Sequence, residues 1–105
     1  MRLVTKKTIS RECWNLDYEL IKWLNEHLKV YKEEAIKVVD LEFYKFTYKR
    51  KKYTQLEILN RLIEITNILL ETDYFNCNVV EANNLKDLKD EMYGLLKVVH
   101  WQLWW

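Results

Sequence analysis

The stretch Thr54-Gln55-Leu56-Glu57-Ile58-Leu59-Asn60-Arg61-Leu62-Ile63-Glu64-Ile65-Thr66-Asn67-Ile68-Leu69-Leu70-Glu71 decides the fold. It opens with the T-x-x-E spacing of a capping box, in which the Thr54 hydroxyl and the Glu57 carboxylate each satisfy a backbone N–H left open by the first helical turn. At about 100° per residue, Leu56, Ile58, Leu59, Leu62, Ile63, Ile65, Ile68, Leu69 and Leu70 sweep roughly 240° of the circumference. Glu57, Asn60, Arg61, Glu64, Asn67 and Glu71 hold the remaining arc. A helix lying on a protein surface needs an apolar stripe only a little over about 100° wide. The pattern therefore predicts a central helix over 54–71, covered by other elements, by a second subunit, or by both.

Two further helices flank it. The spacing predicts one over about 11–31, capped by Ser10 or Thr8. Trp14, Leu20, Ile21, Leu24, Leu28 and Tyr31 form one of its faces, and Leu16, Trp23, His27 and Val30 form a second stripe. The last helix is expected over about 85–103, with Asn84 as N-cap, Asp87 in the first turn and a narrow stripe of Leu85, Leu88, Met92, Leu95, Leu96, Val99 and Leu103. Residues 32–53 read two ways. Ala35, Ile36, Val39, Phe43 and Phe46 keep a helical period, while the aromatic run 41–48 favours a strand. A helix to about Asp40 followed by a short strand or hairpin near 41–53 accommodates both, with Lys49-Arg50-Lys51-Lys52 as a solvated turn. The connection 72–84 is polar, with Val79 and Val80 dipping toward the core. The fold class is mainly α: a single domain over 1–105, built as a small three- to four-helix bundle with a possible short β-hairpin.

Composition narrows the functional classes. Seventeen basic residues oppose sixteen acidic ones, so no long-range attraction to nucleic acid or an anionic membrane is built into the whole molecule. One glycine and no proline exclude glycine-rich phosphate loops and sandwiches dependent on tight turns. Cys13 and Cys77 are too few for a disulfide scaffold and suit reduced thiols in a cytoplasmic protein. The N-terminus has no apolar run of the signal-peptide kind, and no segment approaches the roughly 20 apolar residues of a membrane span.

The candidate chemistry is sparse. Cys13, His27, Cys77 and His100 have no metal-ligand spacing, so neither a metal nor another cofactor is expected. Cys13 and His27 would lie about 21 Å apart on one helix, and the acidic pairs Glu33-Glu34 and Asp90-Glu91 are adjacent rather than facing. No catalytic residues are assigned, and an enzyme is the weakest class. Gly94 sits opposite the apolar stripe of its helix, where it either admits a second helix at close range or is simply exposed.

Two constellations remain. The Trp-rich end, Trp101 with Trp104 and Trp105, either folds back into the core or serves an interface; base stacking is a third role. With Trp23, Val30 and Tyr93 it makes up the expected oligomer or partner interface. The second is Tyr48-Lys49-Arg50-Lys51-Lys52-Tyr53, whose cations and flanking rings suit phosphate and base contacts.

Lysine-rich composition, small size, the Trp14-Asn15-Leu16-Asp17 start and the Leu103-Trp104-Trp105 end resemble the small uncharacterised proteins of phages and prophages of low-GC bacteria. That resemblance implies an accessory or anti-defence role, in which a compact protein inhibits a host component by binding it. The leading expectation is a non-enzymatic protein–protein interaction protein, homodimeric or of higher order, binding itself and another protein. A nucleic-acid-binding accessory protein using 48–53 is the alternative, as is a sponge for a small anionic ligand at a subunit junction. No membrane partner is expected.

Overall fold

The computed structural model describes residues 16–72 and 79–103. Its elements are helix α1 (Leu16–Ala35), strands β1 (Lys45–Tyr48) and β2 (Lys51–Thr54), helix α2 (Gln55–Glu71), helix α3 (Val79–Val99) and a 3-10 turn (His100–Gln102). The mainly α fold expected from periodicity is the one observed, and the antiparallel pairing of β1 with β2 resolves the ambiguous segment as a hairpin.

α2 is the centre. Ile58, Leu59, Leu62, Ile65 and Leu69 are fully buried, and α1, α3 and β2 all pack against the helix. Its first turn leaves no donor open. Glu57 N–H donates to Thr54 Oγ1, and Thr54 N–H donates to Glu57 Oε1 at 2.9 Å, completing the capping box. Gln55 N–H donates to the Tyr44 carbonyl and Leu56 N–H to the Leu41 carbonyl. The connection before the hairpin is thereby tied to the helix start, with Leu41 buried beneath it.

α1 supplies Ile21, Leu28 and Ala35 to the core, and α3 supplies Leu85, Met92, Leu95 and Val99. One polar cluster is enclosed with them. Asn25 Nδ2 donates to Thr66 Oγ1 at 2.8 Å and to Asn67 Oδ1 at 2.9 Å, and Thr66 in turn donates to the Leu62 carbonyl. Among the described residues, no buried side-chain polar atom lacks a partner.

Four boundaries differ from expectation. α1 runs to Ala35 rather than 31, ending in helical turns through Val39 instead of a helix to Asp40. α3 begins at Val79, not at an Asn84 cap: Asn83 and Asn84 are exposed helical positions, where asparagine is only mildly unfavourable. It also stops at Val99, with the 3-10 turn beyond. Lys51 and Lys52, read as turn residues, belong to β2. The expected caps Thr8 and Ser10, with Trp14, Cys13, Cys77, Trp104 and Trp105, lie outside the described residues, as do the side chains of Val79 and Val80.

Candidate functional site

The outer side of α1 carries a seam of four apolar side chains and one imidazole that no described element covers. Leu16, Leu20, Trp23, His27 and Val30 recur at alternating steps of four and three residues, the spacing of a heptad seam. Leu16 and Val30 are each 58% exposed and Trp23 56%. Leu20, grouped by periodicity with Ile21, Leu24, Leu28 and Tyr31, belongs to this seam instead. The two rings at its centre form one plate: Trp23 and His27 stack at 3.9 Å between centroids, and His27 Nδ1 donates to the Trp23 carbonyl at 2.7 Å. That bond fixes the imidazole over the indole, so the plate is pre-ordered.

Beside the plate runs a groove of about 350 Å³, lined by Trp23, Leu24, His27, Leu28, Val30, Tyr31 and Leu103. Its far wall is held by a polar clamp. The Gln102 carbonyl accepts from Tyr31 Oη at 2.9 Å and from Gln55 Nε2 at 2.8 Å, pinning the 3-10 turn to α1 and α2 at once. Gln55 also donates to the Tyr31 oxygen. Burial raises the pKa of the Tyr31 phenol, with the Gln55 bond opposing, so the hydroxyl stays protonated and able to donate. Gln55 and Gln102 show no sequence signal beyond polarity, and nothing local marks them as partners.

Charge is distributed unevenly along the seam. Glu19 and Glu26 follow one edge and Glu33 closes its C-terminal end; all are exposed, and none forms an ion pair among the described residues. On the other edge the acid is neutralised, because Lys89 Nζ reaches Asp17 Oδ2 at 2.6 Å.

The predicted interface residues separate. Trp23 and Val30 share the groove. Tyr93 is exposed on α3 but does not line it, and Trp101 is 82% exposed on the 3-10 turn. Exposed Ile36, Val38, Val39, Phe43 and Tyr44 form a further apolar surface on the connection to the hairpin, which sequence reading did not single out.

The second candidate, 48–53, falls wholly on the hairpin. Register sets Phe46, Tyr48, Lys51 and Tyr53 on one face and Lys45, Thr47, Lys52 and Thr54 on the other. Tyr48 and Tyr53 are half-buried and turned toward the helices, so they do not form the exposed stacking platform expected of them. Gly94 accounts for Tyr48: a Cβ there would lie 2.7 Å from Tyr48 Cε2. The close approach expected at Gly94 is made by this ring, not by a helix. Below the inner face, Arg61 holds Glu91 through two bonds of 2.6 and 3.0 Å and Glu64 through one of 2.7 Å. Among the described residues no group of three or more metal-ligating side chains comes together, and no helix is long and apolar enough to cross a membrane.

Comparison with family models, with curated proteins and with solved structures finds no match.

Proposed function

We propose that the protein is a non-enzymatic interaction protein that seats an amphipathic helix of another protein along the outer side of α1. The heptad-spaced seam from Leu16 to Val30 carries this reading, because a contiguous exposed apolar strip is unusual on a monomer and its spacing is that of a helix–helix seam. Trp23 supplies the kind of large rigid anchor that dominates interface energies. The resemblance to accessory proteins of mobile elements points to a host protein as the partner, and inhibition as the effect.

The partner helix carries basic residues along one edge, to meet Glu19, Glu26 and Glu33. A second copy is a less favourable occupant. Antiparallel pairing about Trp23 brings Glu19 of one copy close to Glu26 of the other, acid against acid.

Two labelled helical peptides test this, both with leucines at heptad spacing, one edged with lysine and one with glutamate. Anisotropy with the full chain should show saturable binding of the lysine peptide, weaker by roughly tenfold or more for the glutamate peptide and for the Trp23→Glu variant. No binding of either peptide overturns helix docking. Equal binding of both overturns only the choice of a basic partner. A solution mass of twice the 13.0 kDa chain that collapses on Trp23→Glu assigns the seam to a second copy.

A further inference from the structure

The hairpin is a concentrated patch of positive charge on a nearly neutral molecule. Between Phe43 and Thr54 stand Lys45, Lys49, Arg50, Lys51 and Lys52, five of the seventeen basic residues, and no acidic one. All five are exposed, and among the described residues none forms an ion pair. Acids lie on the inner side, where Glu57, Glu64 and Glu91 line the groove beneath Tyr48 and Tyr53, and exposed Glu42 precedes the hairpin. Glu57 is engaged with Thr54, and Glu64 and Glu91 with Arg61. The outer face, with Lys45, Thr47 and Lys52, and the tip, with Lys49 and Arg50, face solvent and form no ion pair among the described residues, although Lys45 acts at a distance on Glu57 and Lys49 on Glu91.

The tip has a second peculiarity. Lys49 and Arg50 connect the strands as a two-residue turn, with φ of 49° and 66°. Positive φ at both central positions is the requirement of a type I′ turn, which Asn-Gly meets with far less strain than two long side chains. The two cations thus occupy the apex against local conformational preference. Backbone strain of this kind is concentrated at functional sites.

We propose that the outer face and tip of the hairpin bind the phosphodiester backbone of a nucleic acid. The cations form a line rather than a knot: at about 3.4 Å per residue, Lys45 to Lys49 spans about 14 Å, over which one strand of a duplex sets about four phosphates. A two-stranded ribbon is also of a size that the DNA major groove admits. The apex carries no apolar side chain to insert into a lipid surface, and the hairpin's tyrosines face inward. Recognition is through phosphates, without base stacking, so it is independent of sequence.

The test is anisotropy with the full chain and labelled mixed-sequence oligonucleotides, single-stranded and duplex, across a salt series from about 50 mM. Affinity should fall with salt on a log–log slope of about 3 to 4 in magnitude, and the tighter of the two probes identifies the strand form recognised. Lys49→Asn/Arg50→Gly is the decisive variant. It should raise the melting temperature by several degrees through relief of the turn, yet weaken binding roughly tenfold and lower the salt slope by about 1.5. Lys45→Gln/Lys52→Gln should weaken binding similarly with little change in melting. Absence of binding at low salt, or binding unchanged in both variants, overturns the proposal. Tighter, equally variant-sensitive binding to phosphatidylserine vesicles overturns it in favour of a lipid surface.

Discussion

Gly94 of α3 and Tyr48 of β1 are complementary: the missing Cβ of one is the space occupied by the ring of the other. A Cβ on residue 94 would stand 2.7 Å from Tyr48 Cε2 and 2.9 Å from its hydroxyl oxygen. In an unhindered helix, Gly94→Ala would add about 1 kcal/mol of stability. Here the added methyl must displace a ring packed between hairpin and helix, and overpacking of that kind costs about 1–3 kcal/mol. The expected result in urea denaturation is a net loss of about 1 kcal/mol. In a Tyr48→Ala background the same substitution should become stabilising. A stabilising Gly94→Ala in the parent chain would show that the ring moves aside freely.

Thr54 joins the hairpin to α2, being both the last residue of β2 and the N-cap of the helix. Its hydroxyl accepts from Glu57 N–H at 3.1 Å. Thr54→Ala should cost about 1 kcal/mol, the ordinary worth of a cap. Thr54→Ser keeps the acceptor and should recover most of that loss. Thermal melts of the two variants check this; equal losses would place the contribution in strand packing instead.

Features differ in how far they could be read from sequence according to the distance between the partners. The Thr54/Glu57 box spans three residues, so the sequence alone displays it, and both of its bonds are present in the structure. The breadth of the apolar arc on α2 similarly announced a central helix, because burial around a helix is written in its own periodicity. The start of α3 is not legible because asparagines that make good caps are also tolerated on an exposed helical face. The turn at Lys49-Arg50 was obscured because its residues contradict the chemistry of the turn they adopt. Only part of the α1 seam is legible: periodicity groups Leu16, Trp23, His27 and Val30 but sets Leu20 with the other face. The clamp of Tyr31, Gln55 and Gln102 was invisible, since its members are separated by 24 to 71 residues and meet only through the tertiary fold.

The buried pair Asn25 and Thr66 should respond asymmetrically to substitution. Thr66→Val keeps the shape but removes the acceptor of Asn25 Nδ2, leaving Asn25 with only its Asn67 contact. A buried donor deprived of a partner costs about 1–3 kcal/mol. Asn25→Leu combined with Thr66→Val replaces both groups by apolar ones and should cost less than the sum of the single variants. Chemical denaturation of the four-member cycle measures the difference. Strict additivity would show that Asn25 and Thr66 act independently despite the 2.8 Å bond.

Acid should loosen the contact between α2 and α3. Hydrogen bonds from Arg61 hold the Glu91 carboxyl below the ordinary carboxylate range against the opposing effect of partial burial, and Arg61 is correspondingly raised. The folded value of Glu91 lies below its unfolded value, so the unfolded chain takes up the proton first as pH falls. Its contribution is therefore complete above the ordinary carboxylate range, and is lost as pH drops through the depressed value, below roughly pH 4. Glu57 adds to the same limb with the same sign, because its carboxylate is held low by Thr54 and then by Lys51 and Lys45. The Arg61–Glu91 pair is partly exposed, and solvent screening limits its worth to about 1 kcal/mol at most. Glu91→Gln should lower stability at pH 7 and flatten the decline between pH 5 and pH 3, where the parent and variant curves converge. Urea midpoints measured across that range decide the matter: parallel curves would mean that the pair contributes no proton-linked stability, and that other carboxylates govern acid unfolding.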